Sequence, residues 1–381
     1  MFFVTLLLLV TGGELLARLL VIPQSIPQPP PPSVVDPYQP NPYVFNCRPY
    51  LYFHLPHASY IQARSTYQVN YEINSLGFRG PEILPKTQPR LITIGDSITE
   101  GHGNPFDKTF SYQLGQNLRQ NNWEVINMGV QGASPIYYAL NLKRYLAVQP
   151  DAVLIMIFEN DLFDDRFREA SFFTLPILDE AEEILLPEQQ TKIKRLLFKS
   201  RLYILLKRGW QYFFHSPVEE IIANNQQVTY TNAEQAAINN FTEQQTAIDG
   251  FKHKYLVAPA VFDQQWEMTQ AYLDYVVNGF RQQGVTVMLA NISITGQEPG
   301  LNPAYSEHAR LLDEHLSSWA KTRQIPFLSL LPTIAQAVKQ YQPFYSQIVI
   351  VDDGHPTSQT HALIANALQP WVINNLSRHS Y

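Results

Sequence analysis

The apolar positions of this chain alternate between short runs of strand length and longer stretches with helical spacing. Apolar, β-branched-rich runs predict five strands, the fifth being the weakest, at residues 91–94, 124–128, 152–158, 285–292 and 325–330. Helical periodicity predicts helices at residues 109–121, 135–148, 262–283, 304–322 and 359–377. Strands that alternate with helices favour a parallel sheet covered on both faces, so we expect a three-layer α/β/α fold.

An earlier apolar stretch, residues 2–22, precedes the globular pattern. About twenty apolar residues are what a membrane-spanning helix needs. Glu14 and Arg18 lie four positions apart, so they share one helix face and can neutralise each other. We therefore predict a membrane anchor over residues 1–22. A cleaved signal peptide, for which no small-x-small site follows, and a buried helix are the alternatives.

Proline dominates the next segment, where nine of the twenty residues from 23 to 42 are proline. This composition favours extended polyproline II and predicts a semi-rigid linker over residues 23–42. A linker without functional consequence is the alternative. The remaining chain, residues 43–381, is then predicted to form one globular domain.

A long insertion, at about residues 164–259, interrupts that domain between the third and fourth predicted strands. It contains no convincing core strand, and we expect it to be mostly helical. Residues 192–214 within it carry seven Lys or Arg and no acidic residue. This segment is typical either of a membrane-facing amphipathic helix or of a helix that packs on its own domain with a solvated basic face.

The composition excludes several classes of protein. With 45% hydrophobic and 16% charged residues, the chain is typical of a globular protein and not of a disordered one. Its net charge of −6 argues against a nucleic-acid binder. Cys47 is the only cysteine, so neither an intramolecular disulfide nor a Cys-based zinc site can form.

Polar residues with catalytic potential follow the first three predicted strands. Gly95-Asp96-Ser97 comes directly after the first, where Ser97 could be a nucleophile or the tripeptide could simply cap a helix. Gly132 follows the second strand, and Asn160-Asp161 follows the third. A glycine N–H and an amide side chain at this edge could donate to a developing oxyanion, although each is also ordinary turn chemistry.

The segment Asp352-Asp353-Gly354-His355-Pro356 follows the last strand and precedes the last helix. Serine needs an adjacent base to act as a nucleophile, and a carboxylate usually orients that base. His355 could be the base. Asp352, three positions earlier, could be the carboxylate within one short turn, whereas we expect Asp353 to point elsewhere.

Taken together, these motifs resemble the four conserved blocks of the SGNH/GDSL hydrolases, in the order of that family. The resemblance implies a flavodoxin-like fold, with Ser97 as nucleophile, His355 as base and Asp352 as the orienting carboxylate. It also implies an oxyanion hole made of the Ser97 N–H, the Gly132 N–H and the Asn160 side chain. Residues 74–80 look like a stretch that often precedes the serine block in membrane-anchored bacterial members.

The third block departs from the family pattern, G-x-N-D, because Phe158 stands where the family usually has glycine. We expect Phe158 to fill space near the site and so to affect substrate shape. Three polar residues beyond the serine, Glu100, His102 and Asp107, could line the pocket, but a solvated loop is their expected position.

We therefore expect a serine esterase that acts on a small acyl ester, such as an O-acetyl group, on a cell-envelope glycan or a lipid. An O-acyltransferase with the same triad and a non-catalytic envelope assembly protein are the alternatives. The resemblance implies neither a metal nor an organic cofactor. The catalytic domain is expected on the extracytoplasmic side of a membrane, and the sequence leaves the oligomeric state open.

Overall fold

The computed structural model describes residues 2–20, 29–35, 41–46, 52–165, 200, 202–203, 205–206, 259–294, 303–341, 345–350 and 353–377. The predicted insertion and its basic segment lie almost entirely outside these residues. The described part consists of an N-terminal helix, a small antiparallel region and a large α/β domain.

The α/β domain is built on five parallel strands, as the apolar runs predict. In chain order, after five strands given below, these are β6 (Arg90–Ile94), β7 (Glu124–Asn127), β8 (Ala152–Phe158), β9 (Thr286–Ile292) and β10 (Phe327–Ser329). Their spatial order is β10-β9-β8-β6-β7, so β6 lies between β7 and β8. The residues that follow these three strands therefore meet at one edge of the sheet.

Helices cover both faces of this sheet because its strands are apolar on both sides. One face packs against α4 (Pro135–Leu140), α5 (Leu142–Ala147), α6 (Pro259–Gln282) and α7 (Pro303–Thr322). The other face packs against α3 (Phe110–Leu118), α8 (Leu331–Tyr341) and α9 (Ser358–Ser377). Successive residues of β8, such as Val153 and Leu154, point to opposite layers. The three-layer α/β/α prediction is confirmed.

The helices of the structure differ from the predicted ones at two places. The predicted helix at 135–148 is divided into α4 and α5 by Asn141, whose side-chain amide donates to the carbonyl of Tyr137 (3.0 Å). An asparagine that bonds to local backbone competes with regular helix hydrogen bonding. Helix α8 follows β10 directly and was not predicted.

Before the α/β domain, short strands form an accessory region. Strands β1 (Val34–Val35), β4 (Ser59–Ala63) and β5 (Gln68–Glu72) form a three-stranded sheet, and β2 (Val44–Asn46) pairs with β3 (Tyr52–His54). Tyr60 stacks between Tyr43 and Tyr71, at centroid distances of 4.8 and 5.0 Å. We call β4, β5 and their turn, residues 59–72, the accessory hairpin.

The accessory region begins inside the segment predicted as a linker. Val34 pairs with Ile61 of the accessory hairpin, and the Tyr43 hydroxyl donates to the carbonyl of Pro31. Residues 31–35, within the segment predicted as a linker, therefore contact the accessory region. Pairing with β4 satisfies backbone groups that a solvated polyproline segment would leave to water.

The N-terminal helix α1 spans Phe2–Leu20. The predicted pair is present, with Arg18 Nε 3.0 Å from a Glu14 carboxylate oxygen. The other Glu14 oxygen accepts hydrogen bonds from the Ser200 hydroxyl (2.7 Å) and the Leu202 N–H (3.0 Å). Among the helices within the described residues, none is both long and apolar enough to cross a membrane. The anchor stays a prediction.

Candidate active site

Ser97 lies immediately beyond the central strand β6, at the first position of the short helix α2 (Ser97–Glu100). Asp96 caps this helix, because its carboxylate accepts the N–H of Ile98 (2.9 Å). The capping interpretation of Asp96 is therefore correct. The cap fixes the backbone next to Ser97 and leaves the serine side chain available for chemistry.

The Ser97 hydroxyl faces a histidine from the far end of the chain. Oγ of Ser97 is 2.8 Å from Nε2 of His355, a hydrogen-bond distance. His355 lies in a tight loop, in which its carbonyl accepts the N–H of Ile350 (2.8 Å) and Val349 pairs with Pro356. The structure thus brings together the serine and the histidine that the sequence motifs single out.

The carboxylate at the other ring nitrogen of His355 belongs to Asp353. Its Oδ1 is hydrogen-bonded to Nδ1 of His355. We expected Asp353 to point elsewhere, and that expectation is wrong. The N–H groups of Asp353 and Gly354 both bond to the carbonyl of Ile350, and this turn brings the Asp353 side chain to the ring.

Asp352, the predicted carboxylate, lies outside the described residues. The prediction relied on a spacing of three positions, whereas the turn that the structure describes uses a spacing of two. Asp353 therefore takes the place that the sequence motifs led us to give to Asp352.

The ionisation of this pair follows from its charges. Burial alone would raise the pKa of Asp353, but the positive charge of His355 and hydrogen bonds from His102 and His355 outweigh burial and hold that pKa far below its usual range. Burial alone would lower the pKa of His355, but the charge and hydrogen bond of Asp353 raise it. The pair favours an ionised carboxylate beside a histidine that binds a proton readily.

Two further contacts hold Asp353 from the accessory hairpin. The hydroxyl of Tyr67 donates to Oδ2 of Asp353 (2.8 Å), and Nε of Arg64 lies 3.2 Å from the same oxygen. Nε2 of His102 is 3.4 Å from it as well. The sequence motifs did not reveal Arg64 or Tyr67, because they lie almost three hundred positions from Asp353 and in no recognised block.

Two of the three polar residues expected in a solvated loop are buried. Glu100 and His102 have relative exposures of 0% and 2%, so that expectation is wrong for them. The Glu100 carboxylate binds Nε2 of His54 (3.0 Å) and accepts the N–H of Gln131. The side chain of Asp107, by contrast, is 57% exposed, as expected.

Gly132 lies in the turn that follows β7. Its φ of +68° lies in the left-handed region that glycine adopts without strain. The turn is tied to the nucleophile segment, because the N–H of Val130 bonds to the carbonyl of Gly95 (3.0 Å). A side chain at Gly129 would collide with the backbone of α2 at Glu100. These contacts keep the Gly132 turn close to Ser97.

Asn160 follows β8, on the other side of β6. Its Nδ2 donates to Asp164 (3.0 Å), while Oδ1 is buried without a hydrogen-bond partner among the described residues. The preceding carbonyl, of Glu159, accepts from Nε2 of His308 (2.8 Å), which anchors this loop to α7. An amide NH₂ has two N–H groups, so the bond to Asp164 leaves one available.

Phe158, the departure from the family pattern, is the last residue of β8. Its ring is half-buried and packs against the apolar layer that includes Ile98, the residue after Ser97. It lies two positions before Asn160, at the carboxyl end of β8.

Comparison with protein families decides the identity of the fold. The sequence model of the GDSL-like lipase/acylhydrolase family matches residues 93–363, well over half of the chain. The chain belongs to this family. This GDSL protein is accordingly a serine ester hydrolase, as the resemblance implied. No curated protein matches the sequence.

Three solved structures resemble this GDSL protein over most of its length. A catalytic mutant of Axe2, an acetylxylan esterase from Geobacillus stearothermophilus, is 13% identical, with 76% of this chain and 96% of that one covered and a TM-score of 0.40. LAE5, an α/β hydrolase enzyme from the metagenome of Lake Arreo, is 14% identical, with 74% and 94% covered and a TM-score of 0.40. A GDSL-like lipase from Bacteroides thetaiotaomicron is 12% identical, with 76% and 92% covered and a TM-score of 0.36.

Proposed function

We propose that this GDSL protein cleaves its ester through Ser97, His355 and Asp353. The observation that carries the proposal is the 2.8 Å contact between Ser97 Oγ and His355 Nε2, with Asp353 at the opposite ring nitrogen. His355 takes the Ser97 proton as Oγ attacks the acyl carbon, and it then protonates the departing alcohol. Asp353 holds the required tautomer and stabilises the imidazolium.

The oxyanion of the tetrahedral intermediate would be bound by three donors. They are the N–H groups of Ser97 and Gly132 and the free N–H of the Asn160 amide. These residues follow the neighbouring strands β6, β7 and β8, which supports their meeting at one point. Donors that are fixed before the reaction stabilise the developing charge without further reorganisation.

The substrate of this proposal is an ester of a small acyl group, such as acetate. Phe158 supports it, because an aromatic ring where the family usually has glycine leaves less room beside Asn160. A cell-envelope glycan or a lipid is the proposed carrier of the acyl group. Water then resolves the acyl-enzyme, and a sugar hydroxyl in place of water would make the protein an acyltransferase.

The proposed location is the extracytoplasmic face of a membrane, with α1 as the anchor. The apolar sequence of α1 supports it, as do the exposed side chains of Leu9, Leu15 and Leu19, each more than 60% exposed. Fractionation of cells that express the full chain tests this part. Release into the soluble fraction with an intact N-terminus would contradict it.

Hydrolysis of a p-nitrophenyl ester series tests the substrate part. We expect the purified protein to prefer acetate over octanoate by at least about tenfold in kcat/KM, the effect of roughly 1.4 kcal/mol. Ser97→Ala should remove the activity. An acetylated glycan with an added sugar acceptor then separates release of free acetate from transfer of the acetyl group. A preference for long chains would contradict the small-acyl proposal.

A further inference from the structure

The Asp353 carboxylate receives most of its contacts from outside the loop that carries it. Its Oδ1 faces His355, and its Oδ2 meets Tyr67, Arg64 and His102. Its side chain is only 1% exposed, so water cannot hold it in place. The direction of this carboxylate is therefore set by protein groups.

The accessory hairpin supplies two of those groups from a region outside the five-stranded sheet. Arg64 and Tyr67 lie at the turn between β4 and β5, joined by a backbone bond from the Arg64 N–H to the Tyr67 carbonyl (2.8 Å). This short link fixes the two side chains relative to each other. The turn thus presents a cation and a hydroxyl to one carboxylate oxygen.

His102 completes the arrangement from the loop after α2. Its Nε2 lies 3.2 Å from the Tyr67 oxygen, and its ring lies 4.3 Å from that of His355. Burial and the charge of His355 lower the pKa of His102, which favours its neutral form. The N–H at Nε2 of His102 lies within reach of both the Tyr67 oxygen and Oδ2 of Asp353, while the Tyr67 hydroxyl donates to the same carboxylate oxygen.

A second contact ties the same region to the other half of the site. His54 of β3 binds Glu100 on α2, and Glu100 in turn accepts the N–H of Gln131, next to Gly132. His54 and Glu100 are both buried, with side-chain exposures of 1% and 0%. The accessory region therefore contacts the Asp353 carboxylate directly and is linked to the Gly132 turn through Glu100.

We propose that Tyr67 and Arg64 are positioning residues, which hold the Asp353 carboxylate against His355, and that the accessory hairpin is thereby a functional part of the active site. The inference rests on the proposed roles of Ser97, His355 and Asp353. Tyr67 and Arg64 do not touch the reacting atoms. They act only through Asp353.

A double-mutant cycle tests this dependence. Tyr67→Phe removes one hydroxyl that bonds to a charged group, so kcat for p-nitrophenyl acetate should fall about ten- to a hundredfold with little change in KM. In an Asp353→Asn background, the same change should cost less than about threefold, because its target is already lost. Arg64→Gln should show the same dependence and serves if Tyr67→Phe does not fold.

The pH profile gives a second readout that a merely structural residue would not move. Asp353 raises the pKa of His355, so a loosened Asp353 should shift the ascending limb of kcat/KM to lower pH. Tyr112→Phe is the matched control. Its ring packs on Phe106, and loss of its hydroxyl should change kcat less than about twofold and leave the limb in place.

Two results would overturn the inference. One is an equal loss from Tyr67→Phe with and without Asp353, and the other is an unmoved pH limb in Tyr67→Phe. Arg64→Gln is left out of the pH test, because the Arg64 charge itself lowers the pKa of His355. Failure of the proposed function gives a different result, since Ser97→Ala would then be as active as the wild type. The cycle is interpreted only where Ser97→Ala is inactive.

Discussion

The carboxylate of Asp353 is hydrogen-bonded to Nδ1 of His355, two positions further along the chain. Bonds from Asp353 and Gly354 to the carbonyl of Ile350 form the turn that makes so short a spacing possible. Gly354 has a φ of +82°, which a glycine adopts without strain. This loop presents His355 to Ser97 with its carboxylate partner already in place.

The two adjacent aspartates should therefore differ in their effect on activity. Asp353→Asn should lower kcat by about two to four orders of magnitude, because an asparagine can present the wrong hydrogen-bonding group to His355. Asp352→Asn, the neighbouring control, should cost less than about tenfold. Steady-state kinetics on p-nitrophenyl acetate measures both. A larger loss at Asp352 would restore the assignment made from the sequence spacing.

The pH dependence of kcat/KM should report the proton on His355. Asp353 raises the pKa of His355 above its ordinary value of about 6.5, and only the neutral ring can take the Ser97 proton. Activity should therefore rise with pH along a limb centred above that value. In Asp353→Asn the limb should move to lower pH. A limb below the ordinary histidine value in the wild type would contradict the electrostatic account of this pair.

Removing the Asn160 amide should affect rate more than binding. If its N–H binds the developing oxyanion, Asn160→Ala should lower kcat by about 10²- to 10³-fold and change KM little. Circular dichroism of the same variant should confirm that the fold is intact. A loss confined to KM would mean that Asn160 contacts the ground-state substrate instead.

The buried acids beneath Ser97 should make stability depend on pH. Burial, followed by the charges of Asp96 and Asp165, raises the pKa of Asp161 well above its ordinary value, and burial raises that of Asp96 to about 6. A carboxyl with a raised pKa binds more protons in the folded state. Stability is therefore lost as pH rises above the unfolded value of about 3.9.

Replacement of Asp161 by Asn should remove most of this dependence. Compared with the wild type, Asp161→Asn should gain denaturant resistance as the pH rises above the ordinary carboxyl pKa of about 3.9. Asp107→Asn, which changes an exposed carboxylate, is the control and should follow the wild type. Parallel curves for Asp161→Asn and the wild type would contradict the raised pKa.

The sequence predicts the parts of this protein that depend on local pattern. All five parallel strands could be located, and three of them, β6, β8 and β9, are mostly apolar and almost fully buried, as expected in a sheet covered on both faces. Ser97 and His355 could be found for a similar reason, because each lies in a short contiguous motif. The Ser97 motif directly follows β6, and the His355 motif precedes the last helix.

The parts that depend on distant contacts were not predictable in this way. Asp353 is contacted by Tyr67 and Arg64, which no spacing rule links to it. Glu100 and His102 look solvated in sequence because they are polar and follow a glycine-containing turn, yet the accessory region buries them. Buried polar groups need partners, and partners from another region leave no local trace in the sequence.

The central claim is that Ser97 is the nucleophile of an ester hydrolase. Its most direct test is to incubate the folded, full-length protein with a fluorophosphonate and to locate the adduct by peptide mass spectrometry. One adduct is expected, on Ser97, and it should be lost in Ser97→Ala and form more slowly in His355→Ala. An unlabelled protein that still hydrolyses p-nitrophenyl acetate, or an adduct on another residue, would contradict it.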